Sequence, residues 1–455
     1  MKNKLLVILY TILICLLPLN IKTGFISYSK ILLSFSFLVF MIIFLTDKKG
    51  LKNLFSNNII KVLVLTTLSF AFIVLISVIF NSIIDEEWIW SNFFEFLRVI
   101  EYVLILINFY YLLSVDKKNI NYFTNTLLFS LLITSVIGIF QFFNIFNLNE
   151  KYIRFIAPTQ YITLVNNYPF PRIVGLSGNP NVLGLFIALA IIYLWHFIIT
   201  NNFRWYYIPI ILLLNVINFM TLSRSSYVCM IVGEVLLVLF TMFRLKWPAI
   251  KNTLMFLAIV IFTNLLFLVA LPERLTWRVL ELVDIKGISS WQNRIDISKD
   301  VLDYFNDSTL SEPINTNNNI HNDGEVNEGI MDDENVTINK HKSITLDVVY
   351  KLLGNGPDKL HKKYYGVFDN EWLMLLFRYG YIGVAFYVAM IISPLICYRN
   401  VNRKNIALYL TVAIIIFIYM IPAAIYHCNM LFAFVCILMA YSLQVEHNNR
   451  GDFDA

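Results

Sequence analysis

The chain is short of charge. Only 14% of its 455 residues are Asp, Glu, Lys or Arg, against about 25% in soluble domains. Hydrophobic residues make up 58%. This excludes a water-soluble globular class, and domain number cannot be inferred from length in the usual way. Cysteine is scarce too. The five cysteines, Cys15, Cys229, Cys397, Cys428 and Cys436, lie in or beside apolar runs without CxxC spacing. That excludes a disulfide framework and a thiolate metal centre, and leaves them as small core hydrophobes. The six histidines are scattered, and only His361 lies near a motif. No zinc-type cluster and no internal repeat is found. The N-terminal MKNKLLVILYTILICLLPL has the charge and apolar length of a signal peptide. No small-residue cleavage pattern follows it, so it is expected to be a first transmembrane helix. The net charge of +5 is expected to record membrane topology, with no nucleic-acid partner.

The apolar residues come in long runs. A bilayer core takes roughly 20 residues per helix, which predicts about twelve spans. They are placed at 5–21, 25–46, 59–82, 93–114, 122–146, 181–200, 205–221, 225–243, 251–271, 372–397, 405–422 and 428–444. The expected fold is therefore an all-α polytopic membrane protein. Its three parts are 1–271, carrying spans one to nine; 272–371, one large exterior loop; and 372–455, carrying the last three spans and a tail. Positive charge sets the orientation. With a cytoplasmic N-terminus, the inside connections hold Lys48, Lys49, Lys52, Lys61, Lys117, Lys118, Arg204, Arg244, Lys246, Lys251, Arg399, Arg403 and Lys404. The outside turn after span three is acidic (Asp85, Glu86, Glu87), and the C-terminal tail is inside.

Three exterior segments break the rule by carrying arginine. They are the loop 147–180, the turn Thr221 to Ser226, and the large loop 272–371. In the large loop, 290–305 fits an amphipathic helix, with Ile295, Val301, Leu302 and Phe305 near helical spacing. Residues 306–343 are polar and acidic and are expected to be a disordered insertion.

Arginine beside apolar spans suits a phosphate-bearing ligand, because its planar fork pairs bidentately with phosphate oxygens and stays charged. The candidates are Arg172, Arg224, Arg274, Arg278 and Arg294. Taken singly, each also reads as a snorkelling residue or a loop salt bridge. In GLSGNPNVLG (Gly175 to Gly184), Asn179 or Asn181 suits a helix N-cap, and that N-terminus favours an anion. The bland reading is an ordinary loop-to-helix junction. LGNGP (Leu353 to Pro357) is a glycine turn that lets backbone approach a ligand, but no GK[ST] follows to make a phosphate loop. Asp369, Asn370 and Glu371 stand at the mouth of span ten, where a carboxylate suits a general base and Asp or Asn suits a cap. Gly380 and Gly383 fit close helix packing. Inside spans, Glu101 is expected to pair with Arg98, and Glu234 to join a polar core with Asn215 and Asn218.

Together, RIVGLSGNPNVLG (Arg172 to Gly184), LSRSS (Leu222 to Ser226), the stretch around Arg294, GNGP (Gly354 to Pro357), and Asp369-Asn370 followed by Leu373, Gly380 and Gly383 form a set. This set resembles the O-antigen ligase and O-antigen polymerase superfamily of bacterial envelope enzymes. The resemblance implies a multi-span, GT-C-like, metal-independent glycosyltransferase with no cofactor, sited in the bacterial plasma membrane. Its donor would be an undecaprenyl-diphosphate-linked oligosaccharide. Its pathway partners would be a flippase and a chain-length regulator. By this resemblance Arg172, Arg224 and Arg294 grip the diphosphate, Arg278 assists, and Asp369 orients or deprotonates the acceptor hydroxyl. Asn179, Asn181, Gly354, Gly356 and Asn370 would line the substrate site. Ligases of the superfamily present a histidine where this chain has Asp369, and that favours a polymerase. A ligase-type transferase and a transporter or flippase remain the alternatives.

Overall fold

The computed structural model describes residues 2–16, 28–84, 90–154, 172–200, 206–242, 344–356, 370–396, 405–423, 425 and 428–444, with isolated positions at 258, 262, 296, 298, 299 and 302. It is all-helical: 89% helix, with no strand among the described residues. The helices are α1 (Lys2–Leu16), α2 (Tyr28–Thr46), α3 (Lys48–Ser56), α4 (Asn58–Ile84), α5 (Trp90–Val115), α6 (Lys118–Phe142), α7 (Pro180–Thr200), α8 (Tyr207–Met220), α9 (Arg224–Met242), α10 (Ile344–Leu353), α11 (Glu371–Ile396), α12 (Ile406–Tyr419) and α13 (Asn429–Ser442). Seven of these, α2, α4, α5, α6, α7, α9 and α11, are long and apolar enough to cross a membrane; α1, α8, α12 and α13 are shorter apolar helices.

The apolar patterning decides which helices are central. α7 is hydrophobic all round and 89% of its span is buried, while 78% of the α5 span is buried. Such helices belong inside a bundle. α2, α4, α6 and α9 instead expose large apolar side chains such as Phe37, Leu65, Phe72, Phe129 and Leu239. That is the expected surface of a bundle solvated by lipid. α7 and α9 approach closely at Gly184, where a Cβ would lie 2.2 Å from Ser226 Oγ.

Several expectations change. α3 is a short helix that the apolar runs do not predict. Asp47 caps it by accepting from Gly50 N at 2.9 Å, and Leu51 and Leu54 are buried on its inner face. The Tyr111 hydroxyl and the Gly50 amide hold the Asp47 carboxyl below the usual aspartate range. The span expected at 122–146 ends at Phe142, followed by a 3-10 turn (Ile145–Asn147) and a π turn (Asn149–Ile153). Asn144 forces this break: its backbone is left-handed, and its Oδ1 accepts from Asn149 N at 3.0 Å.

Arg98 does not pair with Glu101. It bonds Glu95 at 2.8 Å, while Glu101 accepts from Ser29 Oγ at 2.9 Å. Glu234 accepts from Trp195 Nε1 at 3.0 Å and is not joined to Asn218, which contacts Ser226 and Met230. The expected span 251–271 lies outside the described residues apart from 258 and 262, both helical. Within the expected helix 290–305, Asp296, Ser298, Lys299 and Leu302 are helical. The insertion 306–343 lies outside the described residues.

Candidate functional site

One end of the bundle gathers the C-terminal ends of α4, α6, α8 and α12 with the N-terminal ends of α5, α7, α9 and α11. The loop that leads into α7 is built on Gln141, near the end of α6. Gln141 Oε1 accepts from Val174 N at 3.1 Å and Gly175 N at 3.0 Å, and its Nε2 donates to Gly175 O at 3.3 Å. One fully buried amide thus satisfies three backbone groups that no helix or strand could pair. Ile173 N donates to Met220 O at 3.3 Å, which docks the same loop on the end of α8. Asn179 then starts α7. Its Oδ1 accepts from Asn181 N at 2.8 Å and Val182 N at 3.4 Å, and Pro180 takes the first helical position.

On this frame stands Arg172, half-buried. Its Nε donates to Thr221 O at 3.1 Å and its Nη2 to Asn181 Oδ1 at 3.1 Å. One guanidinium therefore ties the α8–α9 turn to the first turn of α7. The turn itself is tight. Leu222 has a φ of 52°, a left-handed conformation that is costly for a branched side chain. Its neighbours hold it there: Thr221 Oγ1 donates to Asn218 O at 2.6 Å and accepts from Ser223 N at 3.2 Å. Arg224, half-buried, opens α9 three residues beyond Thr221. Arg172 and Arg224 thus flank one turn.

The start of α11 faces this group through α12. Asn370 caps α11: its Oδ1 accepts from Leu373 N at 3.2 Å and its backbone O from Met374 N at 3.1 Å. Glu371 is fully buried and accepts from Ile425 N at 2.6 Å, while its own N donates to Met420 O at 2.9 Å. One of its carboxylate oxygens is thus committed to that link. Tyr419, the last residue of α12, donates its hydroxyl to Asn181 O at 2.8 Å. Outside the spanning helices, burial pushes the Tyr152 hydroxyl up to about 12, so it stays protonated at neutral pH.

Gly354 and Gly356 are used differently. α11 is broken at Gly380, whose φ is 65°. The carbonyls freed by the break accept from the α10 terminus: Asn355 N to Phe377 O at 2.8 Å and Gly356 N to Arg378 O at 3.1 Å. Ser77 Oγ also donates to Arg378 O at 3.0 Å. A break inside an apolar helix survives because neighbouring protein satisfies the exposed backbone. A Cβ on Gly354 would lie 2.2 Å from Arg378 O, and one on Gly380 2.3 Å from Leu352 O. Gly380 therefore marks a break as well as the close packing expected of it, here against the backbone of the α10 terminus. Beside the break, Arg378 lies 4.0 Å from Glu95.

Of the sequence-derived candidates, the fold brings together Arg172, Asn179, Asn181, Arg224 and Asn370, and it sets Gly354 and Gly356 into the α11 break. Asp369, Arg278 and Arg294 lie outside the described residues. Gln141 and Tyr419 are not among the sequence-derived candidates, and Thr221 enters only as the first residue of its turn. A lone glutamine in the apolar run IFQFF was the only available signal for the first. No group of three or more His, Cys, Asp or Glu suited to a metal occurs among the described residues. No protein-family model matches this chain, and no curated protein matches it either.

Proposed function

We propose that this protein is a membrane polysaccharide polymerase acting on undecaprenyl-diphosphate-linked repeat units at the outer face of the plasma membrane. The observation that supports it best is the double hydrogen bond of Arg172 to Thr221 O and Asn181 Oδ1. It ties Arg172 to the turn that leads into Arg224 and to the capped N-terminus of α7, at the bundle end where α11 begins. Permanent positive charge and the positive end of the α7 dipole suit a diphosphate leaving group without a metal. The resemblance of the motifs around Arg172, Arg224, Gly354 and Asp369 supplies the substrate class.

In the proposed reaction the growing glycan is the donor. Its anomeric carbon forms a bond to a hydroxyl oxygen of the next lipid-linked unit. The bond from that carbon to the carrier's diphosphate breaks, and the diphosphate leaves with the electron pair. Arg172, Arg224 and Arg294 stabilise the departing charge, with Arg278 beside them. Asp369 takes the hydroxyl proton, and Asn370 orients the acceptor. About twelve spans with both termini cytoplasmic would carry this site, with 272–371 exterior.

The test is reconstitution with a lipid-diphosphate repeat unit as sole substrate. A ladder of longer lipid-linked glycans is expected. A product that appears only with a second, non-identical acceptor would replace this reading by a ligase, and vectorial movement without new bonds by a transporter. Arg172→Ala should lower the ladder-forming rate about 100-fold with the protein still folded. Full activity in that variant would remove Arg172 from the site.

A further inference from the structure

We propose that Tyr419 and Glu371 are positioning residues that together bind the start of α7, bearing the Arg172–Asn181 pair, to the start of α11, bearing Asn370. The inference rests on the polymerase reading and deepens it. Donor-side and acceptor-side groups come from segments far apart in sequence, so something must set their separation. The last turn of α12 does so from both sides.

Toward α7, the buried Tyr419 hydroxyl donates to Asn181 O at 2.8 Å. Asn181 accepts Arg172 through its side chain, so a single residue receives both the arginine and the tyrosine. Toward α11, Met420 O accepts from Glu371 N at 2.9 Å, and Glu371 Oε2 closes the turn by accepting from Ile425 N at 2.6 Å. Trp372 adds a third link. Its Nε1 donates to Phe417 O at 3.2 Å, and its ring stacks on Phe417 with centroids 5.3 Å apart and planes 2° from parallel.

Two features point past simple stability. The carbonyl that Tyr419 binds lies in the first turn of α7, where the helix itself already supplies a donor. Tyr419 therefore adds placement where no orphan acceptor needed filling. Glu371 is a fully buried acid whose Oε2 accepts from a backbone amide. An acid in that place costs desolvation, and its bond to Ile425 N fixes Glu371 itself, the residue next to the Asn370 cap, against the turn after α12. A misplacement of about 1 Å in such a constellation costs roughly 100-fold in rate.

The experiment uses full-length protein in liposomes with the lipid-diphosphate repeat unit, and follows ladder formation alongside thermal unfolding. Tyr419→Phe removes one oxygen and keeps the ring. Glu371→Ala removes the acceptor, and Glu371→Gln keeps an oxygen for Ile425 N. Tyr419→Phe and Glu371→Ala should lower kcat about tenfold or more with KM within about twofold. Glu371→Gln should recover most of that loss.

Wild-type kcat in both Tyr419→Phe and Glu371→Ala overturns the inference. So does a loss that follows the folded fraction, or a Glu371→Gln variant no better than Glu371→Ala. The two failures are separable. A wild-type protein that makes no ladder removes the polymerase reading and this inference with it. A wild-type ladder that survives these substitutions at full rate removes this inference alone.

Discussion

Two glycine-containing junctions look alike in this chain and work in opposite ways. The segment Gly175 to Asn181 ends on a side-chain cap and leaves Arg172, Asn179 and Asn181 half-buried at the bundle end. The segment Gly354 to Gly356 is fully buried and gives its backbone to the gap in α11. Both are short, polar and rich in Gly and Asn. What differs is the partner. The first meets the Gln141 side chain, which serves its backbone, while its own side chains cap α7 and join Arg172 to Asn181 at the bundle end. The second meets the broken backbone of α11, so its N–H groups are already taken. A glycine turn next to a membrane helix is therefore no guide to a ligand loop until its backbone hydrogen bonds are accounted for.

Substitutions at the two junctions test this contrast. The largest effect is expected at the second. Gly354→Ala places a Cβ 2.2 Å from Arg378 O at a φ of +80°, and should destabilise by about 3 kcal/mol or more. Thermal unfolding in detergent measures it, and near-normal stability would mean that the splice is not rigid. Next is Gln141→Leu, which strands the amides of Val174 and Gly175 and should cost about 2 kcal/mol. It should also lower ladder formation, because Arg172 leads this loop. A stability loss with full activity would detach Arg172 from the loop's order.

Gly175→Ala is the matched control for Gly354→Ala. Its added Cβ lies 3.1 Å from the flexible Leu183 methyl groups at a φ of +52°, so about 1 kcal/mol is expected. Equal losses at Gly175 and Gly354 would erase the distinction between the junctions. The smallest effect is at the far end of the bundle. Asp47 has a lowered folded pKa, so its contribution is present above the ordinary aspartate range and is lost as pH falls through the lower folded value. Asp47→Asn should flatten the acid limb of the unfolding profile and leave both junctions unchanged.

Local rules could be read where a residue acts on its own neighbours. Asn179 and Asn370 were legible as caps because a cap needs only the next two or three amides. Pairings between helices were not legible. Arg98 stands three residues from both Glu95 and Glu101, and spacing cannot choose between them. The choice falls to α2, whose Ser29 takes Glu101. Glu234 has one near-sequence set of polar neighbours and bonds instead to Trp195 of another helix. Gln141 serves a loop more than thirty residues away.

The sequence by itself determined the class. Scarce charge and long apolar runs leave an α-helical bundle as the only way to satisfy so much backbone away from water. It also marked Arg172, Asn179, Asn181 and Arg224 as unusual, through their residue types beside apolar spans. Tertiary structure alone decided their company. Arg172 reaches Thr221 and Asn181, α12 ties Asn181 to Glu371, and α10 fills the break at Gly380. Apart from the bond of Arg172 to the Asn181 side chain, these join backbone carbonyls to residues tens to hundreds of positions away. Every residue type carries the same carbonyl, so no pattern of side chains records which one will be used.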